Sequence, residues 1–331
     1  MENAAAKADI QSRIQADERF GSIDLALILM TVIWGANFTA IKYSLEDLLP
    51  LSFNGLRFVI AATIMFFVMI VSGRGFRVPR RDFWKLIGLG VLANAFYQSL
   101  FITGMAHTRT GNAALIVSTT PLFSAVIGWM RRQEYFTTRG VAGLAMAFGG
   151  IVLIILNGDA QLEFGSTLLG DLILVGSTIC WTVYTFAARN MVHTHGSLKA
   201  TAIMMMSGTP VFLLICAPSL IQQNWSSVRP QAWAGVGYSA LFAIALAHLI
   251  WNYGVRRLGS TRTAIYSNFT PVTAMLIVWV SRGEAPTAGQ IIGAAIIFIG
   301  LYFVRHGMIA VAPIAHVTEV LEEEELSPGK N

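Results

Sequence analysis

Polar and aromatic side chains recur at helical spacing inside long apolar runs of this chain. Between 84 and 105, Asn94, Tyr97, Gln98 and Phe101 stand at i, i+3, i+4 and i+7, one face of a helix. Between 233 and 255, His248, Trp251 and Asn252 share a face in the same way. Two further runs carry Trp34, Asn37 and Phe38, and Trp181 and Tyr184, while Tyr266 and Asn268 lie close before Pro271. These residue types suit recognition of a solute rather than bond-making: amides fix polar groups, and an indole stacks on a planar or apolar body while its N–H finds an acceptor. The same residues could instead join helices by hydrogen bonds of about 1 kcal/mol each. Spacing alone admits both uses.

Three other residues belong to this set. Pro121 and Pro271 fall near the middle of apolar runs, where each removes a backbone donor and frees a carbonyl one turn back. A kink facing a cavity is the expectation, with Thr119, Thr120 and Thr270 close enough to answer the freed groups. Arg57 is the one charged side chain well inside a run, two turns from its start, and snorkelling or pairing with carbonyls is its expected state. Among these groups only His248 titrates near neutral pH. Asp24 and Asp171 sit at the starts of runs and suit helix N-termini. Thr137 and Thr287 read as N-caps beside Glu134 and Glu284. There is no phosphate-binding loop, no nucleophile–base pattern and no metal-ligand spacing, since His193 and His195 alone are too sparse. Neither an enzyme nor a bound cofactor or metal is expected.

The elements that carry these residues are set by composition. Of 331 residues, 55% are hydrophobic and 12% charged, with a mean hydropathy of +0.61. A soluble domain carries about 25% charged residues, so an all-α membrane protein is expected. Spanning the bilayer takes roughly 20 apolar residues per helix. Ten transmembrane helices fit, near 24–43, 51–72, 84–105, 112–130, 138–156, 168–188, 200–220, 233–255, 263–281 and 288–306. The polar start of the chain argues against a cleavable signal peptide, so the first helix directs insertion. Cys180 and Cys216 fall within apolar runs and imply no disulfide.

Basic residues fix the orientation. One set of loops and both ends hold Lys7, Arg13 and Arg19; Arg74 through Lys85; Arg131, Arg132 and Arg139; Arg189 and Lys199; Arg256, Arg257 and Arg262; and Arg305 and Lys330. The opposite loops hold only Lys42, Arg109, Arg229 and Arg282. Both termini are therefore expected in the cytoplasm, with the chain in a cell inner (plasma) membrane. The +5 net charge sits in short loops rather than on one face, so no nucleic-acid partner is expected. The partners are the lipid bilayer and a small-molecule solute. Glu322 to Glu325 read as a solvated tail.

An internal repeat is visible. At an offset of 150, Gly104 pairs with Gly254, Thr120 with Thr270, Pro121 with Pro271, Trp129 with Trp279, Gly143 with Gly293 and Gly150 with Gly300. At an offset of 147, Asp24 pairs with Asp171, Thr31 with Thr178 and Trp34 with Trp181. The chain thus divides into a segment 1–23, a five-helix repeat 24–156, a second repeat 157–306 and a tail 307–331. Five is odd, so the second repeat enters the membrane inverted. Two inverted five-helix repeats are a recurrent plan of secondary transporters, because exchanging the conformations of the halves yields inward- and outward-open states.

The run WGANFTAIK (Trp34 to Lys42), LRF (Leu56 to Phe58) and the paired RRQEYFTTRGVAGLAMAFGG and SRGEAPTAGQIIGAAIIFIG resemble the EamA-type branch of the drug/metabolite transporter superfamily over about Asp24 to Arg305. The resemblance implies ten helices in two repeats around a central cavity, and export or exchange of small metabolites. The expected function is therefore alternating-access transport of amino acids or related amphipathic solutes. An intramembrane enzyme would need a paired acid, base or metal site, and a non-transporting scaffold or sensor would fill its polar faces by packing. The topology is checked by reporter fusions: one at Asp159 should report an external location and one at Lys199 a cytoplasmic one, and the reverse result rejects the inverted repeat.

Overall fold

The computed structural model describes residues 21–130, 134–156, 166–283 and 285–310. Arg131, Arg132, Asp159, Glu284 and the Glu322 to Glu325 run lie outside the described residues, as does the side chain of Glu134.

The described chain is almost entirely helical. Helix α1 (Ser22–Ser44) begins where the Asp24 carboxylate accepts the Gly21 N–H at 2.6 Å, an acid stabilising the positive end of a helix. Helix α2 (Pro50–Val71) starts on a proline in its first turn, where a missing N–H costs nothing. Helix α3 (Arg80–Ala106) widens to π-type winding over Val91–Phe96. The expected fourth span is two helices, α4 (Thr110–Val117) and α5 (Thr120–Met130). Then follow α6 (Thr138–Leu156), α7 (Ser166–His195) and α8 (Ser197–Gln222). Helix α9 (Pro230–Leu258) repeats the π-type winding over Ser239–Leu246. Helix α10 (Ser260–Tyr266) passes through a 3-10 turn, Ser267–Phe269, into α11 (Thr270–Arg282), and α12 (Ala288–His306) closes the series. Thr287 caps α12 reciprocally with Gln290, and the Gly140 N–H reaches the Thr137 hydroxyl at 3.4 Å, so both threonines cap as expected.

Seven helical stretches among the described residues are long and apolar enough to cross a membrane: α1, α2, α3, α7, α8, α9 and Asn112–Met130. The remaining expected spans coincide with α6, with the broken α10–α11 rod and with α12. Ser267–Ser281 and Ala288–Val304 are shorter apolar helices. Large apolar side chains such as Val71, Leu214, Ile221 and Val280 are exposed, as a surface facing hydrocarbon requires. Trp129 and Trp279 are exposed at helix ends, where interfacial anchors sit. The one departure from helix is an antiparallel ribbon, β1 (Glu134–Phe136) with β2 (Met308–Ala310), pairing Tyr135 with Ile309. It ties the start of α6 to the end of α12.

The proline expectation needs correction. Neither Pro121 nor Pro271 kinks a continuous helix. Each stands in the first turn of a new helix, α5 or α11, immediately after a break. In that position the ring breaks no intrahelical bond, and the break itself removes the clash with the preceding turn.

Helix pairs α2/α8 and α6/α12 pack side by side, α3 lies on α7, and α1 lies on α9 and α11. The α6/α12 crossing is close enough to exclude side chains. A Cβ on Gly143 would fall 2.6 Å from the Gly300 carbonyl oxygen, and one on Gly300 would fall 2.6 Å from the Ala147 nitrogen. Gly150 meets the Gly293 carbonyl in the same way at 2.9 Å. Small residues let helices approach so that dispersion and Cα–H···O contacts replace the missing hydrophobic drive.

Polar ties cross the surface loops. Between α1 and α2, Asp47 and Glu46 accept from Arg229 at 2.9 Å each, ahead of α9. The Arg229 guanidinium holds the Asp47 carboxyl below the usual carboxylate range, so this tie survives mild acid and weakens only as pH falls through that lowered value. At the start of α3, Asp82 pairs with His195 at 2.9 Å and with Lys85 at 3.4 Å.

The α6/α12 contact predicts the response to two substitutions. Gly300→Ala should lower unfolding stability by about 1–3 kcal/mol through overpacking. Gly149→Ala, whose Cβ meets nothing within 4 Å, should leave it unchanged within about 0.5 kcal/mol. Thermal melts of the purified variants in one detergent check both.

Candidate solute-binding cavity

The centre of the bundle encloses a cavity of about 50 Å³, bounded by residues from α1, α2, α3, α4, α5, α7, α9 and the turn before α11. Helix α1 brings Trp34 and Asn37, α3 brings Tyr97, Gln98 and Phe101, α7 brings Thr178 and Trp181, and α9 brings His248 and Trp251. Thr120 and Thr270 open α5 and α11 at its edge, and Arg57 enters from α2. Of the expected site residues, the structure therefore gathers Trp34, Asn37, Tyr97, Gln98, Trp181, His248, Trp251 and Arg57 around one space.

The walls are aromatic. The centroid of Trp34 lies 6.1 Å from that of Trp181 and 5.4 Å from that of Trp251, and Trp181 and Trp251 are 5.4 Å apart. Tyr97 bridges Trp181 at 4.9 Å and Phe101 at 5.8 Å. Two of the three indoles are held by their N–H groups: Trp34 Nε1 donates to the Ala243 carbonyl at 3.0 Å and Trp251 Nε1 to the Thr185 hydroxyl at 3.2 Å. Ala243 belongs to the π-wound part of α9, where a widened turn displaces carbonyls from their usual donors. The Asn37 side-chain oxygen accepts from Ser239 of the same stretch.

Polar atoms left open at the cavity are few. The hydroxyl of Thr270 has no hydrogen-bond partner, and the ring of the buried His248 meets no side-chain partner, only the backbone of Ala243 and Ile244. The Thr119 and Thr120 hydroxyls donate to the Ile116 and Val117 carbonyls at 2.6 and 2.7 Å, the freed groups before the break. Thr270 makes no such bond, which leaves its hydroxyl to whatever enters.

Arg57 departs from its expected state. It does not snorkel: its side chain is 1% exposed, and its donors meet the side-chain oxygens of Asn54 and Gln98 rather than backbone carbonyls.

The chain carries two copies of one family pattern. The profile of the EamA-like transporter family matches residues 21–156 and again 168–305. The chain belongs to the EamA-like transporter family. It is 27% identical over 283 residues to the uncharacterized transporter YyaM of Bacillus subtilis (strain 168), covering 85% of this chain and 92% of that one. It is 25% identical over 282 residues to a probable terminal-alkyne amino-acid exporter of Streptantibioticus cattleyicolor, covering 85% and 92%. A solved crystal structure superposes with a TM-score of 0.63 at 19% identity, over 85% of this chain and 96% of its own, and shares the fold.

The remaining candidates in this EamA-family chain lie outside the cavity lining. Asn94 donates to the Met204 carbonyl at 3.1 Å, holding α3 to α8. Asn252 donates to the Tyr184 hydroxyl at 3.2 Å and the Thr201 hydroxyl at 2.9 Å, joining α9 to α7 and α8. Tyr266 donates to Asp24, holding α10 to α1. Asn268 stands in the 3-10 turn with its side-chain oxygen buried and unpartnered. Pro121 and Pro271 shape the breaks beside Thr120 and Thr270.

One group was missed by reading the sequence. Asp171, expected to serve a helix N-terminus, is fully buried in the second turn of α7, accepting from Thr108 and from Asn112 at 3.4 Å. Asn112 in turn accepts from Gln290 at 3.0 Å. This network borders a second hollow of about 520 Å³ lined by Lys42, Thr108, Arg109 and Gln290. The signal available was Asn112 and Thr108, two polar residues flanking an apolar run, but their partner came from another helix.

These placements separate packing from lining. Asn252→Ala should lower unfolding stability by about 1–2 kcal/mol, because it strands the buried Tyr184 and Thr201 hydroxyls, while leaving the affinity of any bound solute within about twofold. Melting curves with and without solute test the separation.

Proposed function

We propose that this chain is a secondary transporter that exports or exchanges a small amphipathic metabolite by alternating access. Its ten helices form two inverted five-helix repeats in a cell inner membrane, with both termini cytoplasmic. The observation that carries the reading is the pairing of cavity residues across the two halves. Trp34 and Trp181, Gln98 and His248, Phe101 and Trp251, and Thr120 and Thr270 occupy matched positions of the repeat, and all eight line one space. A site shared equally by two halves stays in place while the halves exchange conformations around it.

Other observations support the same reading. The family profile matches the chain twice. Gly143 meets Gly300 and Gly150 meets the Gly293 carbonyl, the reciprocal contacts expected of a two-fold crossing between repeat-related helices. Discontinuous helices meet at the cavity, where irregular backbone is tolerated because it borders protein and polar space rather than lipid. The name of the Streptantibioticus cattleyicolor relative favours amino acids or similar solutes and outward flow. No phosphate-binding loop occurs in the sequence, so the energy would come from a solute or ion gradient.

An intramembrane enzyme is less well supported. Among the described residues no group of three or more His, Cys, Asp or Glu side chains converges.

The test is flux. In proteoliposomes, Gln98→Ala and Trp251→Ala should each slow counterflow of a transported solute by about tenfold or more, a loss of about 1.4 kcal/mol of binding. Folded protein should remain at wild-type yield. Unchanged flux and affinity in both variants would make these faces packing surfaces and remove the site assignment.

A further inference from the structure

We propose that Arg57 is the anion-binding residue of the central cavity, and that the solute carries a carboxylate. The proposal rests on the transport reading above and names the solute class for that same cavity.

Arg57 is buried two turns into α2 and borders the cavity. Its Nε donates to Asn54 Oδ1 and its Nη2 to Gln98 Oε1 at 2.9 Å. The guanidinium carbon lies 5.0 Å from the Phe53 ring centroid and 6.0 Å from that of Phe101. Every one of these partners is neutral, and Nη1 has no partner among the described residues. No carboxylate pairs with Arg57 there either. Arginine does not give up its proton, so the protein carries a full positive charge in a low-dielectric interior without a counter-ion. A buried charge is normally paired, since desolvation outweighs what neutral dipoles return. Here the missing anion has a place to sit, because the charge borders an open space.

The surrounding groups are arranged for that use. The Asn54 amide donates to the Gln98 backbone carbonyl at 2.9 Å, which turns its side-chain oxygen toward Arg57 and fixes the guanidinium plane. A planar fork held in this way matches a carboxylate with two parallel hydrogen bonds. A single cation in about 50 Å³ of space suits a monoanion; a phosphate dianion would call for more donors than the lining offers. The rings of Trp34, Trp181 and Trp251 line the same space and give the solute's apolar part an aromatic surface.

The charge is also one-sided. The repeat partner of Gln98 is His248, but the position matching Arg57 at an offset of 147 is Met204. A pseudo-symmetric cavity with its fixed charge at one pole holds an asymmetric solute in one orientation, carboxylate toward α2.

The experiment uses four probes that share one benzyl body: phenylacetate, phenylalanine, phenylacetamide and phenethylamine. Each is titrated into the purified full-length protein in detergent, and binding is read from intrinsic tryptophan fluorescence. Phenylacetate should bind about 10-fold or more tightly than phenylacetamide, with phenethylamine weakest. Arg57→Gln should abolish the difference between acid and amide, and Arg57→Lys should keep the preference at reduced affinity. Gel filtration and thermal melts report folding; if Arg57→Gln fails to fold, Arg57→Lys and the wild-type probe series decide. The proposal is overturned if phenethylamine binds as well as phenylacetate, if Arg57→Gln keeps the wild-type ranking, or if none of the four binds at millimolar concentration. Flux separates the two readings. Phenylacetate bound through Arg57 but never moved in proteoliposomes rejects transport and keeps the anion site. Counterflow of a cationic probe, unaffected by Arg57→Gln, keeps transport and rejects the anion site.

Discussion

A backbone carbonyl in hydrocarbon has no water to turn to, so every departure from regular helix must find its donor within the protein. This constraint organises the middle of the molecule. The π-wound stretch of α9 loosens the Ala243 carbonyl, and the Trp34 indole takes it up. The break between α4 and α5 frees the Ile116 and Val117 carbonyls, and the hydroxyls of Thr119 and Thr120 take those. The irregular segments are therefore confined to where side chains, of the same segment or of another helix, can reach them. That place is also where a solute could be met, because irregular winding is what prevents the helices from closing on one another.

The periphery obeys the opposite rule. Where α6 crosses α12 the helices are regular and glycine removes the side chains between them, so the backbones touch. Such a contact tolerates little sliding, because each approach is already at the limit of atomic radii. The bundle is thus tightest at its edge, at the glycine crossing, and loosest at its centre, around the cavity. The surface ties join the ends of the helices that carry most of the cavity: Asp47–Arg229 links the loops after α1 and before α9, and Asp82–His195 links the start of α3 to the end of α7.

Much of this was legible in the sequence, for definite reasons. Hydropathy marks which stretches can cross a membrane because a spanning helix must be apolar over most of its length, and the 150-residue offset holds without gaps from Gly104/Gly254 to Gly150/Gly300. Helical spacing also picked out Tyr97 and Gln98 on α3 and Trp251 on α9, which the structure brings to one cavity. It failed for Asn94, which shares the face of Tyr97 and Gln98 in a regular α-helix. Asn94 lies inside the π-wound Val91–Phe96, and a π-turn takes an extra residue, which rotates everything before it relative to everything after. Nothing in local spacing announces that rotation. Arg57 and Asp171 failed for another reason: depth along a helix can be counted from sequence, but whether the neighbours at that depth are lipid, water or an amide from a distant helix cannot.

The two poles of the cavity put the symmetry and its exceptions to different uses. Matched aromatic residues from the two halves give walls that look alike from either side, which suits a site that must be reached from both. The fixed charge, Arg57, has no counterpart across the repeat, where Met204 stands, and is free of that requirement. Held by two neutral amides, the guanidinium keeps a charge that no carboxylate among the described residues offsets. The His248 ring instead meets the backbone of Ala243 and Ile244, so its seat depends on the π-wound stretch of α9. A fixed charge on a regular helix and an imidazole seated on a widened turn thus place different polar groups around matched aromatic walls.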